Sequence, residues 1–322
     1  MLCGNKGLAN LGNTCYMNSI IQCLSHLLIF HPKNKKLMNY INDKETLLFD
    51  QWLLLNNAMW SSDSNNISPK QFLISYINQL KIHNIDFTSF NQNDCEEFLH
   101  TFFDLLHKSI KKKCNVKLKN NITDKLIMNC SEKWKETYEN DYSYIIDKFY
   151  SQMITSTKCS NCDFISKTID PFLLLQLEIN KDINTLYEAI DLYTNNTLDN
   201  DNKWTCDKCN QKVNATIKIN MSKTSDVLII QFKKYDNLNK LIEYPEYLDL
   251  SNYSIDYNKK GSKYELISMS IHNGNLNGGH YYAICKNILD KQWYIYNDTC
   301  VSNTTDHLNQ KPYCLFYKRI AK

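Results

Sequence analysis

The chain has 322 residues with 37 Lys and Arg against 34 Asp and Glu, a net charge of +3 at pH 7 that gives no basic field of the size nucleic-acid binding uses. With 43% hydrophobic residues it can bury one large core or two ordinary ones without disulfides. Met1 to Lys6 hold no apolar signal core and no window approaches roughly eighteen uncharged apolar residues, so the expectation is a soluble cytoplasmic or nuclear protein with no membrane partner, whose 13 cysteines are thiols and metal ligands.

The first informative stretch is Gly7-Leu8-Ala9-Asn10-Leu11-Gly12-Asn13-Thr14-Cys15-Tyr16-Met17-Asn18-Ser19. From Cys15 onward Tyr16, Ile20, Ile21, Leu24, Leu27 and Leu28 recur at helical spacing, while Gly12, Asn13 and Thr14 are turn and cap residues. The spacing predicts Cys15 at a helix N-terminus, where unpaired amides and the helix dipole favour the thiolate. The side-chain amide of Asn10 is a candidate donor to an oxyanion formed there. The competing reading is that Cys15 is a small core residue in an amphipathic helix.

Three further helices are predicted before the middle of the chain. One runs from Lys44 to Trp60; a second opens at Ser68-Pro69 and ends near Leu80; a third spans Gln92 to His107. The first turn of the third, Gln92-Asn93-Asp94-Cys95-Glu96-Glu97, is acidic. It either complements the helix dipole or forms a clamp for a basic peptide.

From about Ile145 strands take over, at Phe149 to Lys158, Phe164 to Ile169 and Phe172 to Ile179. Two C-x2-C pairs, Cys159/Cys162 and Cys206/Cys209, have the residue types and spacing of a tetrahedral structural zinc site. They lie too far apart in sequence for one compact ribbon, so the metal would join the tips of two hairpins. A redox dithiol is the weaker reading, because neither pair lies in a strand-to-helix context.

Later strands are predicted at Val227 to Lys233, Leu266 to Ile271, Tyr281 to Lys286, Trp293 to Tyr296 and Cys314 to Lys318. Gly278-Gly279-His280-Tyr281 stands at the head of one of them, and paired glycines permit close backbone approach beside a histidine base. If the next two strands close through a four-residue loop Asn287–Asp290, residue 286 faces 291 and His280 faces Asn297, an amide able to orient the imidazole. A shifted register would offer Asp298. His272 is the rival base and otherwise a loop histidine shaping the site.

Together these motifs resemble the ubiquitin-specific proteases, a papain-like class of deubiquitinases, over nearly the whole chain. Asp94-Cys95-Glu96-Glu97-Phe98 resembles their acidic box, Val227 to Tyr235 their hydrophobic-then-basic strand, and Cys314 to Lys318 their last strand. The resemblance implies an α+β right-hand architecture in one catalytic domain: a helical thumb over 1–144, zinc-tipped fingers over 145–221 and a β palm over 222–322. It implies Cys15 as nucleophile, His280 as base, Asn297 as third member, Asp298 as its neighbour and Asn10 in the oxyanion hole. Asp94 and Glu97 would pair with arginines of the ubiquitin tail; Gly278, Gly279, Tyr281 and His272 would border the channel for its Gly-Gly end. One structural Zn2+ on Cys159, Cys162, Cys206 and Cys209, no catalytic cofactor, ubiquitin and its conjugates as partners and a monomeric state complete the expectation. A protease for another Gly-Gly-ended modifier, a non-catalytic ubiquitin-binding scaffold and a zinc-dependent nucleic-acid binder are the alternatives. The stretch Lys111 to Asp147 matches no part of the pattern.

Overall fold

The computed structural model describes residues 3–31, 37, 47–61, 66–85, 94–114, 124–234, 240–255, 261–275 and 278–320. The helix starts expected at Lys44 and Gln92, and Tyr235 at the end of its motif, lie outside these residues. The helices are α1 (Cys15–His26), α2 (Leu47–Trp60), α3 (Lys70–Ile82), α4 (Cys95–Ile110), α5 (Lys125–Tyr138), α6 (Tyr144–Phe149) and α7 (Leu186–Thr194). The strands are β1 (Gly7–Leu8), β2 (Asn66–Ile67), β3 (Ser151–Cys159), β4 (Ile165–Phe172), β5 (Leu174–Ile179), β6 (Asn195–Leu198), β7 (Trp204–Thr205), β8 (Lys212–Val213), β9 (Ala215–Lys223), β10 (Val227–Lys234), β11 (Tyr247–Asp249), β12 (Lys263–Asn275), β13 (Gly278–Lys286), β14 (Trp293–Asn297), β15 (Cys300–Thr304) and β16 (Pro312–Arg319). Among the described residues no helix is long and apolar enough to cross a membrane.

Two compact units emerge, one of Met1–Lys112, Tyr142–Lys148 and Leu266–Lys318, the other of Lys113–Asp141, Phe149–Glu265 and Arg319–Lys322. In the first, α1 is buried along its whole length. A helix so enclosed is stable only if its polar residues find partners inside. Most do: Ser19 Oγ lies 3.0 Å from Ser270 Oγ, Gln22 Nε2 donates to Lys6 O at 2.8 Å, and His26 Nε2 lies 2.9 Å from Tyr296 Oη, while Asn18 Oδ1 and Gln22 Oε1 are buried without a hydrogen-bond partner among the described residues. Around it, α2, α3 and α4 lock through aromatic rings. Trp52 and Phe72 each meet Phe102 at 5.3 Å, and Tyr76 meets Phe98 at 5.2 Å, all near edge-to-face. The antiparallel series β12-β13-β14-β15, with β16 on the other side of β12, supplies the sheet.

The predicted helices and strands of this unit are found, with shifted ends. Helix α3 starts at Lys70 with Pro69 as its N-cap, because the Pro69 carbonyl already accepts from Leu73 N at 2.9 Å. Strand β12 runs from Lys263 to Asn275, well beyond the expected Leu266 to Ile271; it pairs with β11 at its start and with β13 over its remaining length.

The second unit holds an antiparallel sheet in the order β4-β3-β9-β6 and the parallel pair β5 and β10. Helix α7, absent from the sequence expectation, carries a full capping box: Thr185 accepts from Glu188 N while Glu188 accepts from Thr185 N. Helix α5 fills part of the unmatched stretch. Its Asp124 cap accepts from Leu126 N and Ile127 N, and Trp134 lies under Lys223 Nζ at 4.1 Å.

Candidate active site

The loop before α1 is built by Asn10. Its side-chain carbonyl accepts from Gly12 N and Thr14 N, both at 3.1 Å, and from Thr14 Oγ1 at 3.2 Å, while Thr14 Oγ1 accepts from Leu11 N at 2.9 Å. Gly12 and Asn13 take left-handed backbone conformations, φ 99° and 53°, which glycine and asparagine tolerate best. The turn delivers Cys15 to the first position of α1. There Thr14 makes no side-chain cap bond to the first turn. Cys15 is only 4% exposed.

His280, half-buried in β13, places Nε2 2.6 Å from Asn297 Oδ1. The contact was expected, but the register behind it differs. Lys286 pairs with Trp293, and the closing bond runs from Asn287 N to Gln292 O, so the four-residue loop is Ile288–Lys291. The loop sits one residue later than expected because Asn287 is fully buried, its Nδ2 donating to Cys3 O at 2.9 Å and Asn5 Oδ1 at 2.8 Å. Moving the loop by one on each arm changes partners by two, which keeps side chains on the same face. His280 therefore reaches Asn297 along the diagonal rather than directly across.

Asp298 is not the alternative partner that a shifted register was expected to offer. At φ 49° in the tight β14–β15 turn, its Oδ2 accepts from Asn10 Nδ2 at 2.9 Å and its Oδ1 from Asn18 Nδ2 at 2.8 Å. It fixes the amide of the Asn10 loop to the helix that carries Cys15. The approach requires Gly7: a Cβ there would collide with the Thr299 backbone, and Leu8 N donates to Asp298 O at 2.8 Å. Asn18 and Gly7 were not singled out from sequence; a polar residue one turn after Cys15 in a helix of core-like spacing was the available signal.

Gly279 makes room for the protein's own neighbouring strand. A Cβ on Gly279 would meet Asn273 O and Gly274 Cα at 2.8 Å and would overlap His272 Nε2. His272 sits opposite Tyr281 in the β12–β13 ladder and stacks on its ring at 4.4 Å. Tyr281 is only 4% exposed, and its hydroxyl donates to Asp94 Oδ2 at 3.3 Å. Asp94 is half-buried and caps α4, accepting from Glu96 N at 2.6 Å, and Tyr313 Oη also donates to it at 2.7 Å. Glu97 is exposed one turn along.

In the second unit Cys159 and Cys162 lie at the β3–β4 turn, Cys206 and Cys209 between β7 and β8. Cys159 Sγ is 4.0 Å from Cys209 Sγ, Cys162 Sγ is 3.6 Å from Cys206 Sγ, and all four sulfurs lie within 4.8 Å of one another. Thiolates about 2.3 Å from a tetrahedral ion sit about 3.8 Å apart, so the set fits a metal such as zinc. Asp163 and Asn210, at φ 54° and 52°, turn the two knuckles; Phe164, Trp204 and Val213 cover them.

The family model described as "Ubiquitin carboxyl-terminal hydrolase" matches residues 6–317. The chain belongs to the ubiquitin carboxyl-terminal hydrolase family. Among relatives, this hydrolase-family chain is 29% identical to ubiquitin carboxyl-terminal hydrolase Usp2 of Drosophila melanogaster over 98% of its length and 35% of that protein. It is 30% identical to ubiquitin carboxyl-terminal hydrolase 2 of Gallus gallus over 98% of its length and 93% of that protein. It spans 35% and 55% of the lengths of the Drosophila melanogaster and Bos taurus relatives. A solved structure of the SAGA Ubp8/Sgf11/Sus1/Sgf73 DUB module bound to ubiquitin aldehyde superposes with a TM-score of 0.73 at 26% identity, covering 99% of this chain and 70% of that one.

Proposed function

We propose that the chain is a thiol-dependent deubiquitinase that hydrolyses the bond after the C-terminal glycine of ubiquitin, in free chains or on conjugated proteins. The observation that carries this reading is the 2.6 Å contact between His280 Nε2 and Asn297 Oδ1 in a chain of this family. An amide oxygen only accepts, so Nε2 holds the ring proton and Nδ1 is left with a lone pair as the base. Nδ1 takes the Cys15 proton; the thiolate attacks the glycine carbonyl; the imidazolium returns the proton to the departing lysine amine; water then hydrolyses the thioester by the same base. The oxyanion is met by first-turn amides of α1 and by the second N–H of Asn10 Nδ2, whose first N–H goes to Asp298. Asp298 and Asn18 act through Asn10 as positioning residues.

On this reading 1–144, 145–221 and 222–322 act as thumb, fingers and palm, and Asp94 and Glu97 receive tail arginines. His272 and the backbone of Gly278 and Gly279 border the channel. The four cysteines hold one structural Zn2+, whose binding ties two hairpins together. The chain works as a single copy inside the cell, although its Ubp8 relative is found in a four-protein module.

The test is reaction with ubiquitin carrying a C-terminal electrophile, beside Cys15→Ala and a matching probe built on another Gly-Gly modifier. The expected outcome is a covalent ubiquitin adduct that requires Cys15. An adduct with the second probe alone would make the chain a protease for that modifier, and an adduct with neither would make it a scaffold.

A further inference from the structure

Consecutive residues of a strand point to opposite faces, so β13 sends its two tyrosines to different sides of the sheet. Tyr281 lies across from His272 and gives its hydroxyl to Asp94. Tyr282 shares the other face with His280, two residues away, and lies across from Ile271 of β12. One step beyond Ala283 and Tyr296, the last pair of the β13–β14 ladder, stand Tyr282 and Asn297. Tyr282 is therefore the neighbour of both residues in the His280–Asn297 contact. Beneath this face Ile271 and Ile284 are buried, whereas Tyr282 and Ile295 are half-buried and Cys300, the ladder partner of Asn297 in β15, is exposed. None of these side chains carries a charge. The Tyr282 hydroxyl has no hydrogen-bond partner among the described residues, and burial raises its phenol, which keeps it a donor at physiological pH.

The reaction fixes which part of a substrate meets this face. When the bond between the glycine carbonyl carbon and the lysine nitrogen breaks, the imidazolium of His280 hands its proton to the departing amine. It can do so only from the amine's side of the carbonyl. The ubiquitin tail is proposed to enter past Asp94, on the side of Tyr281. The chain that carries the lysine then lies along the face that His280 shares with Tyr282.

We propose that Tyr282, with Ile295 and Cys300 beside it, forms a subsite for the polypeptide segment that carries the departing lysine. The inference rests on the proposed deubiquitinase reading and adds to it the leaving side of the substrate. An uncharged shelf with one aromatic ring and one free hydroxyl suits the aliphatic stem of a lysine and the backbone carbonyls next to it. It calls for no ion pair. Such a shelf favours an amine borne by a protein over a small amine, without demanding one particular sequence.

The test uses the full chain and two substrates that share ubiquitin and differ in what departs: ubiquitin joined to the lysine side chain of a peptide, and ubiquitin bearing a small fluorogenic amide. Tyr282→Ala is expected to lower kcat/KM for the peptide conjugate roughly 3- to 10-fold, the usual loss for one aromatic contact, and to leave the small amide unchanged. Cys300→Trp, which fills the exposed edge of the shelf, should do the same, and it decides the matter if Tyr282→Ala does not fold. Modification of Cys15 by ubiquitin with a C-terminal electrophile should keep its wild-type rate in both variants, because no protein departs in that reaction. Losses that are equal on the two substrates, or absent from both, would overturn the subsite. A wild-type chain that cleaves the small amide but not the peptide conjugate would overturn it as well. Cleavage of neither substrate would sink the deubiquitinase reading itself, and the subsite with it.

Discussion

The two cysteine sites are organised by opposite logic. At the four-thiol cluster each ligand pair lies within one tight turn, so only two hairpins have to meet. The residues proposed to serve Cys15 are Asn10, Asn18, His280, Asn297 and Asp298, and the Asn10 to Asp298 bond spans 288 positions of sequence. The four-thiol cluster is assembled from short-range pieces, whereas the proposed catalytic group exists only when the first and last parts of the first unit are packed. Structural chemistry tolerates a local solution; nucleophile, base and oxyanion donor must approach one carbonyl from different directions.

The comparison can be broken at either end. The largest effect is expected from removing the metal: structural zinc supplies on the order of 10–16 kcal/mol of binding energy in small domains. Chelation or Cys206→Ser should therefore abolish protection of β3, β7, β8 and β9 in hydrogen exchange. Unchanged exchange there, or no zinc by metal analysis, would refute the structural metal. At the other site, Asn297→Ala should lower kcat by roughly 10² to 10⁴ with little change in KM, since only imidazole orientation is lost. A KM effect alone would deny Asn297 that role.

A sharper probe of the long-range assembly is Gly7→Ala, whose Cβ meets the Thr299 backbone. It should cost roughly 1–3 kcal/mol in denaturant titration and reduce kcat, because Asn10 and Asp298 can no longer meet as closely. Loss of stability with full kcat would show that the Asn10 to Asp298 contact is dispensable.

The smallest effect is pH-dependent. Burial lowers His26 from its ordinary 6.5 to about 4, so the folded state holds it neutral while the unfolded state protonates. Its contribution is complete above pH 6.5 and is lost as pH falls toward 4, about 2 kcal/mol by pH 5. His26→Gln should flatten that part of the stability profile of the first unit, and an unaltered slope would rule out His26 as its source.

What could be read in advance follows the same division. The helix at Cys15, both C-x2-C turns and the strand holding His280 were legible, because spacing, caps and turn residues act within a few positions. The capping box at Thr185 and Glu188 was equally local, and a search for it would have found α7. The β13–β14 loop was misplaced by one residue because Asn287 is tied to Cys3 and Asn5 at the far end of the chain. Parity rescued the consequence, since a two-residue change of partner leaves His280 and Asn297 on one face.

By itself the sequence determined the family, the α+β class, the two thiol sites and the identity of the histidine and amide that meet. Only the tertiary structure decided that Asp298 binds Asn10 and Asn18 rather than the histidine, that Gly279 yields to its own neighbouring strand, and that Asp94 is held by two tyrosines. Local rules act through backbone spacing, which one stretch of chain contains. Side-chain partnerships depend on which remote surfaces are pressed together, and burial of α1 among strands from the other end of the chain makes that choice.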